Sequence, residues 1–278
     1  MNRIFSTMAF AFAATAGATA LTCGPAAAAD DRLRAAIADV NRTPANVARD
    51  PARHPYDTLH FFGITPAMTV VEIAPGGGWY TEILAPYLKA DGKLIAAGPD
   101  PKSADEGERK AALRMAAKYA ADPARFGKVA PGVFSPPANV AIAPPGAADM
   151  VLTFRNVHNW IAELDDKGMK NAFAAMFAAL KPGGVLGVVE HRLPENRPQD
   201  ATASTGYVHA SYVIKLAEGA GFKLAAQSEI NANPKDNADH PNGVWALPPS
   251  FANKDKDRAA FAAIGESDRM TLKFVKPK

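Results

Sequence analysis

From residue 69 onward, short apolar runs alternate with longer segments that carry apolar residues at helical spacing. Val70–Ile73 is a β-branched run of the kind that forms a buried strand. The other predicted strands are Lys93–Ala97, a brief one around Val140–Ile142, Met150–Phe154, Val185–Glu190, Phe222–Ile230 and Met270–Val275. Strands that alternate with helices predict an α/β fold with three layers: a doubly wound, mostly parallel seven-stranded sheet between helices.

The segments between these strands repeat their apolar residues with the period of an amphipathic helix. The predicted helices are Asp31–Val40, Trp79–Leu88, Ser103–Ala121, Met169–Leu180 and a segment from about Ser204 to Gly221. Ser103 and Glu106 have the spacing of a capping box. Gly221 suits the left-handed position that ends many helices.

The end of the chain departs from the alternation. Asn231–Asp268 is a long polar and proline-rich stretch with one tryptophan, Trp245. It could be a lid insertion that excludes water from a site, with Trp245 as its anchor. Since no regular crossover precedes the last predicted strand, that strand is expected to run antiparallel.

The first 29 residues have the pattern of a secretory signal peptide. Arg3 precedes an apolar stretch, and small residues at positions 27 and 29 suit a signal peptidase. Cleavage after Ala29 would leave Asp30 as the mature N-terminus, and the alternative is an uncleaved anchor. We therefore expect a periplasmic or secreted protein without stable membrane insertion, with a lead-in helical segment at 30–66 and the main domain at 67–278.

Composition and charge narrow the function further. Hydrophobic residues make up 48% of the chain, and the formal net charge is only +3. Charged residues alternate in sign at 254–258 instead of forming a basic block, so no nucleic-acid partner is expected. Cys23, the sole cysteine, would leave with the signal peptide.

A glycine-rich turn, Gly76–Gly78, follows the first predicted strand and precedes a helix. Glycines there let a ligand approach the backbone closely, and a helix N-terminus adds unpaired N–H donors. Proteins that bind nicotinamide dinucleotides use the same device, so the turn alone leaves the cofactor open.

The surrounding motifs resemble those of class I S-adenosylmethionine-dependent methyltransferases. Glu72 closes the first strand just before the glycines, and Lys181–Gly184 precedes a strand, as in that family. Phe154–Val157 is similar to the matching stretch of quinone-biosynthesis C-methyltransferases. Glu72–Pro86, Arg155–Trp160 and Gly265–Met270 also resemble a group of exported proteobacterial proteins predicted to be methyltransferases. The resemblance implies a methyltransferase-type, Rossmann-like domain and S-adenosyl-L-methionine as cofactor.

The resemblance also implies a set of cofactor-binding residues. These are Glu72, Ala74, Pro75, Gly76, Gly77, Gly78, Asp100 and Arg155. Ala74 stands where the family usually has glycine. The acidic residue that the family places after its second strand, to hold the ribose, is replaced by Ala97-Gly98-Pro99, and Asp100 is the nearest substitute.

Polar residues after the fourth and fifth predicted strands are candidates for chemistry, because ligands bind at the carboxyl ends of parallel strands. The candidate catalytic residues are His158, His191 and Asn156, and the candidate substrate residues are His54, Asn159, Trp160 and Arg192. His158 could instead cap a helix, and His191 could equally be structural. No histidine pair has the spacing of a zinc motif, so no metal is predicted.

Two functional hypotheses from different classes follow. The first is methyl transfer to an unidentified small-molecule acceptor, for which the protein must mainly hold two reactants at attack distance. The second is an exported, non-catalytic ligand-binding protein that keeps the methyltransferase fold, because S-adenosylmethionine is a cytoplasmic metabolite. A nicotinamide-dependent oxidoreductase is disfavoured by Lys181–Gly184 and by the missing acidic residue.

Overall fold

The structure, a computed structural model, describes residues 25–278. The predicted signal peptide therefore lies outside the described residues except for positions 25–29. Helix α1 contains these five positions and ends at Ile37. Along the described part of the chain, no helix is both long and apolar enough to cross a membrane.

The sheet follows the predicted alternation of strands and helices. Its strands are β1 Thr69–Ile73, β2 Lys93–Gly98, β3 Ala130–Val133, β4 Ala148–Phe154, β5 Leu180–Leu193, β6 Val208–His209, β7 Lys223–Ser228 and β8 Arg269–Val275. The strand order is β3-β2-β1-β4-β5-β8-β7, and the two-residue β6 pairs with β5 off this path. The first five strands in this order are parallel, whereas β8 is antiparallel to both of its neighbours, which confirms the predicted fold.

Helices pack against both faces of the sheet. They are α1 Pro25–Ile37, α2 Pro44–Val47, α3 Asp50–Arg53, α4 Pro55–Phe62, α5 Thr81–Leu88, α6 Glu106–Ala121, α7 Pro123–Phe126, α8 Val157–Glu163, α9 Asp166–Ala179, α10 Ala210–Gly219, a 3₁₀ helix Gly243–Ala246 and α11 Arg258–Ile264. Val70 packs with α1, α4 and α5, whereas Val71 packs with α8 and α9 on the opposite face. Because successive side chains of a strand point to opposite faces, β1 is buried between two apolar layers.

Parallel pairing brings the carboxyl ends of the central strands to one edge of the sheet. Ile73 at the end of β1 pairs with Ala97 near the end of β2. Phe154 at the end of β4 pairs with Val189 of β5. The loops that follow these strands therefore lie side by side, where open α/β sheets bind their ligands.

Three local predictions are wrong. The strand expected around residues 140–142 is an irregular segment, and the edge strand of the sheet is β3. Pro131 and Gly132 in β3 are poor strand formers, so the sequence did not indicate this strand. An edge strand tolerates proline because one side of it is unpaired. Asp105, not Ser103, caps α6, by accepting a hydrogen bond from the amide of Glu108. The helix expected from about residue 204 begins only at Ala210.

The predicted lid insertion, residues 231–268, folds onto the domain with its own short helices. Asn231 donates to the hydroxyls of Thr58 and Thr271, and Asp236 accepts hydrogen bonds from Tyr207. Small apolar clusters fix the middle of the segment, including one around Phe261. The segment thus covers the end of the sheet, and its opening remains a prediction.

Candidate functional site

A cavity of about 1010 Å³ opens at the carboxyl ends of β1 and β2. Its walls come from the turn after β1, from α6, from the loop after β3 and from α8. The lining residues are Ala74, Gly76, Gly77, Gly78, Pro99, Asp105, Glu108, Ala111, Arg114, Met115, Lys118, Tyr119, Phe134, Ser135, Pro136, Asn156, Asn159, Trp160 and Glu163. Seven of the predicted site residues thus share this first cavity.

The glycine turn presents bare backbone to the first cavity. Gly76 and Gly78 have φ values of 55° and 79°, the left-handed region that favours glycine. Among the described residues, no atom lies within 4 Å of a β-carbon placed on Gly76 or Gly77. Ala74 also has a positive φ, 47°, so this alanine carries backbone strain that a glycine would not.

Side chains from other elements hold the turn in place. The Lys118 ammonium on α6 donates to the Gly77 carbonyl at 2.6 Å and to the Glu82 carboxylate at 2.9 Å. Asn156, which precedes α8, donates to the Ile73 carbonyl at 3.1 Å. The turn is therefore braced from both sides, and its shape is set before any ligand arrives.

The start of α6 supplies an acidic wall to the cavity. Asp105 and Glu108 both line it, and the Asp100 amide donates to the Glu108 carboxylate at 2.9 Å. Burial acts to raise the pKa of Glu108, but hydrogen bonds from Ser103 and Ser135 outweigh it and keep the pKa below its usual range. Glu108 is therefore ionised at neutral pH and can accept hydrogen bonds from hydroxyl groups.

Asp100, the predicted ribose ligand, lies beside this cavity and outside its lining. Its carboxylate accepts a hydrogen bond from the Lys102 amide at 2.8 Å and another from the Asn139 side chain at 2.8 Å. These contacts, the Lys102 amide foremost, lower the pKa of Asp100. The Asp100 amide donates a hydrogen bond to Glu108, and it is Glu108 that lines the cavity.

Glu72 lies beneath the turn and does not line the cavity. Its side chain is buried and accepts a hydrogen bond from the Thr81 hydroxyl at 2.7 Å. Burial raises the pKa of Glu72 to about 7, although Thr81 and Lys118 oppose the rise. The carboxyl group is therefore a support for the turn and the start of α5.

Replacing Glu72 with glutamine is expected to stabilise the protein at alkaline pH. The folded form holds the Glu72 proton up to about pH 7, while the unfolded chain releases it near 4.5, so stability falls as pH rises through this window. Glutamine removes that loss, worth up to about 3 kcal/mol above pH 7 and little below 4.5. Urea unfolding of both proteins at pH 5 and pH 8.5 measures this, and an equal difference at both pH values would contradict it.

A second, smaller cavity of about 200 Å³ lies at the ends of β4 and β5. Its lining residues are Arg49, Arg155, His191, Val244, Trp245, Pro248, Pro249, Ser250, Glu266 and Ser267. Arg155 lines this cavity while Asn156, the next residue, lines the first one. Consecutive residues at the end of β4 thus line two different cavities.

The two candidate catalytic histidines lie side by side, with ring centroids 5.2 Å apart. His158 is buried and its Nδ1 lies 3.0 Å from the Glu190 carboxylate, whereas His191 Nδ1 contacts the Ser267 hydroxyl. Burial, followed by the neighbouring His158, holds the pKa of His191 well below its usual range. His191 is therefore neutral at pH 7, and its low pKa makes it a weaker base than a free imidazole.

The same three residues could be considered as metal ligands. Within residues 25–278, ligand atoms of His158, Glu190 and His191 lie within 4.8 Å of one another. Both Glu190 oxygens, however, already accept hydrogen bonds from the His158 and His191 amides, and one is also in contact with His158 Nδ1. The carboxylate thus acts as a clamp on the two histidines.

The remaining predicted residues fall in different places. Asn159 and Trp160 line the first cavity, and Pro75 lies in the turn without lining it. Arg192 lies elsewhere and pairs with Glu229 and Asp268. His54 connects α3 and α4, and its buried Nδ1 has no hydrogen-bond partner in the described part of the chain.

The structure adds residues that the sequence patterns did not indicate. In the first cavity these are Asp105, Glu108 and Lys118, all from α6 or its cap. In the second they are Arg49 and Glu266, of which Glu266 belongs to a string noted for its resemblance to exported proteins. Side chains on an ordinary-looking helix carry no local signal of this role.

Comparisons with known proteins agree with the geometry at the level of the fold. No family model matches the chain, and no curated protein matches it. Among solved structures, a SAM-dependent methyltransferase from Aquifex aeolicus is similar with a TM-score of 0.52 and 14% identity, over 89% of this chain and 98% of that one. The [4+2]-cyclase SpnF is similar with a TM-score of 0.50 and 16% identity, over 86% and 84%.

At such identities the likeness speaks for the fold and not for the activity, and a cyclase among the similar structures makes the same point. The strand order, the antiparallel β8 and the glycine turn after β1 agree with that likeness. The chain has the fold of class I S-adenosylmethionine-dependent methyltransferases.

Proposed function

We propose that the protein transfers a methyl group from S-adenosylmethionine to a small-molecule acceptor. The observation that carries this proposal is the first cavity, which has a volume of about 1010 Å³. Bare glycine backbone lines one part of it, and the carboxylates of Asp105 and Glu108 line another. Ligand sites of this kind commonly measure about 300–1,000 Å³, so a nucleoside with an amino-acid tail is accommodated.

The residues of the first cavity suit the parts of that cofactor. Gly76 and Gly77 leave room for close backbone approach by its amino-acid end. Glu108 and Asp105 offer ionic acceptors for ribose hydroxyls, a role in which Glu108 takes the place predicted for Asp100. Phe134 and Trp160, whose rings lie 4.8 Å apart, form an apolar wall. The cofactor, when bound, supplies a methyl group on a positively charged sulfur.

The chain's own contribution is to position the acceptor and manage its proton. His191 lines the adjacent cavity and is neutral at pH 7 because burial depresses its pKa. A neutral imidazole of low pKa can take a proton from an acceptor that methylation has made positively charged and therefore acidic. Glu190 fixes His158 beside it, and Asn156 holds the end of β1 in the wall of the first cavity.

Replacing Glu108 with glutamine is expected to weaken binding of S-adenosylhomocysteine by about 10- to 150-fold. That range corresponds to the loss of one charge-assisted hydrogen bond, about 1.5–3 kcal/mol. Asp100→Ala should have a smaller effect, because the Asp100 carboxylate faces Lys102 and Asn139 instead of the cavity. Calorimetric titration of both variants measures the two affinities. A larger loss of affinity in Asp100→Ala than in Glu108→Gln would show that Asp100 holds the ribose.

Calorimetric titration of the purified protein with S-adenosylmethionine, S-adenosylhomocysteine and NAD tests the proposed function. We expect one molecule of either sulfur nucleoside to bind per chain and NAD not to bind. Binding of NAD alone would indicate an oxidoreductase. Binding of none of the three would favour the alternative, a non-catalytic protein that keeps the fold and binds another ligand.

We also propose that the protein is exported, on the basis of the signal-peptide pattern in residues 1–29. The expected mature N-terminus is Asp30, since alanines occupy positions 27 and 29. The intact mass of protein recovered from the periplasm measures the cleavage site. A full-length mass in the membrane fraction would contradict this proposal.

A further inference from the structure

At the second cavity, three arginines pair with one carboxylate and a fourth arginine lies nearby. Glu266 pairs with Arg49 at 2.6 Å and with Arg53 and Arg269 at 3.2 Å each. The fourth is Arg155, whose guanidinium feels the Glu266 charge without pairing with it. The Arg53, Arg269 and Glu266 side chains are 3%, 3% and 9% exposed, so solvent screens them poorly.

The cluster carries more positive charge than its own carboxylate can balance. Burial lowers the pKa of Arg53 to about 9, with Arg155 adding to the effect, and burial with Arg269 lowers that of Arg155 to about 10. Arg53 and Arg155 therefore stay charged at pH 7. Buried charges in proteins are normally paired, so a cluster with such an excess of cations calls for a further anion.

Arg155 is the residue that most clearly lacks a partner. Within the described residues its guanidinium forms no hydrogen bond and no ion pair within 4.0 Å, although it lines the second cavity. Arg49 uses its Nε on Glu266, and its terminal nitrogens form no hydrogen bond in the part of the chain that the structure describes. The backbone of Arg155 is left-handed, with φ at 59°, so the chain is strained at the residue that carries this side chain.

We propose that the second cavity, which we name the arginine cavity, binds the oxyanion of a small molecule, a carboxylate or a phosphoryl group, through Arg155 and Arg49. Guanidinium groups pair with such oxyanions through two parallel hydrogen bonds. Trp245 and Val244 give the cavity an apolar side that can contact the carbon skeleton next to the charge. At about 200 Å³ the cavity takes an anionic head group with a short skeleton, and not a whole cofactor.

The position of the arginine cavity relates it to methyl transfer. His191 lines it, and Arg155 is adjacent in sequence to Asn156 of the first cavity. This step rests on the proposed function: if the protein transfers methyl groups, the acceptor is a small anionic molecule whose charged group is held by Arg155 and Arg49.

Titration with simple anions tests this inference directly. Calorimetry would use sodium phosphate and sodium benzoate, each against a sodium chloride background of matched ionic strength. We expect one of the two anions to bind at one site per chain. Binding of phosphate would indicate a phosphoryl ligand, and binding of benzoate would indicate a carboxylate. Arg155→Met and Arg49→Gln should each weaken that binding about tenfold or more, whereas Arg32→Gln, at the exposed pair with Asp91, should not.

Stability provides a second readout that a merely structural arginine would not give. Without added anion, Arg155→Met should unfold at a higher temperature than the wild type, because it removes an unpaired, partly buried charge from a cluster of like charges. Phosphate or benzoate should stabilise the wild type and leave Arg155→Met unchanged. A lower melting temperature for Arg155→Met in chloride would make Arg155 structural and overturn the inference.

The result also separates this inference from the proposed function. If neither anion binds, or if both arginine variants bind as tightly as the wild type, the anion site is refuted, even where S-adenosylhomocysteine binds. If an anion binds at Arg155 and S-adenosylhomocysteine does not bind, the anion site stands and methyl transfer is refuted.

Discussion

Gly77→Val is expected to weaken binding of S-adenosylhomocysteine while the protein stays folded. Gly77 has no left-handed φ, and open space surrounds the position of its missing β-carbon, so the free protein tolerates valine. A bound ligand would meet the new methyl groups. An overpacked contact costs about 1–3 kcal/mol, so affinity should fall roughly 5- to 150-fold in calorimetric titration.

Gly77 is a sharper test than its neighbours, because Gly76 and Gly78 have positive φ values and any side chain there also strains the backbone. The matched control is Gly219→Val, at an exposed glycine near the end of α10 that also has open space around it. Both variants should keep wild-type melting temperatures to within a few degrees. Unchanged affinity in Gly77→Val would mean that the ligand binds away from this turn.

Glu266→Gln is expected to destabilise the protein by about 3–5 kcal/mol, because it leaves Arg49, Arg53 and Arg269 without their common carboxylate. For a chain of this size the melting temperature should drop by roughly 6–20 °C. Thermal and urea unfolding in chloride buffer measure the change. Glu229→Gln is the matched control, since Glu229 pairs with Arg192 at the surface and its side chain is 70% exposed.

The same carboxylate predicts a pH dependence. Burial acts to raise the pKa of Glu266, but Arg53 and Arg269 outweigh it and hold the value at about 2. The unfolded chain releases this proton near 4.5, so the stabilisation is complete above that pH and is lost as pH falls toward 2. The wild type should lose about 3 kcal/mol more than Glu266→Gln across this window. Parallel loss in both proteins would contradict the role given to Glu266.

The fold was predictable where the signal is local. The β-branched run that became β1 and the glycines that follow it are contiguous in sequence, so strand, turn and helix could be placed together. β3 could not be found in this way, because Pro131 and Gly132 are poor strand formers and the strand depends on β2 for its pairing. Likewise, Asp105 rather than Ser103 caps α6. Both residue types are good helix caps, so the sequence alone does not show which of them begins the helix.

The candidate site was predictable only in part, for the same physical reason. The turn and the residues after β4 follow from strand order, and the structure brings them together. Glu108 and Lys118 come from a helix whose polar residues look like an ordinary surface. Arg49 and Glu266, which are 217 residues apart, meet only because the lead-in helices and the last strand pack at one edge. No pattern along the chain encodes such a pairing.

A crystal structure of the protein with S-adenosylhomocysteine would show where the cofactor binds. We expect the nucleoside in the first cavity, with its amino-acid end against Gly76 and Gly77. We expect its ribose hydroxyls within hydrogen-bond distance of Glu108 or Asp105, and its sulfur toward the end of β4. A nucleoside bound outside the glycine turn, or with its ribose away from both carboxylates, would refute this binding mode and with it the proposed function.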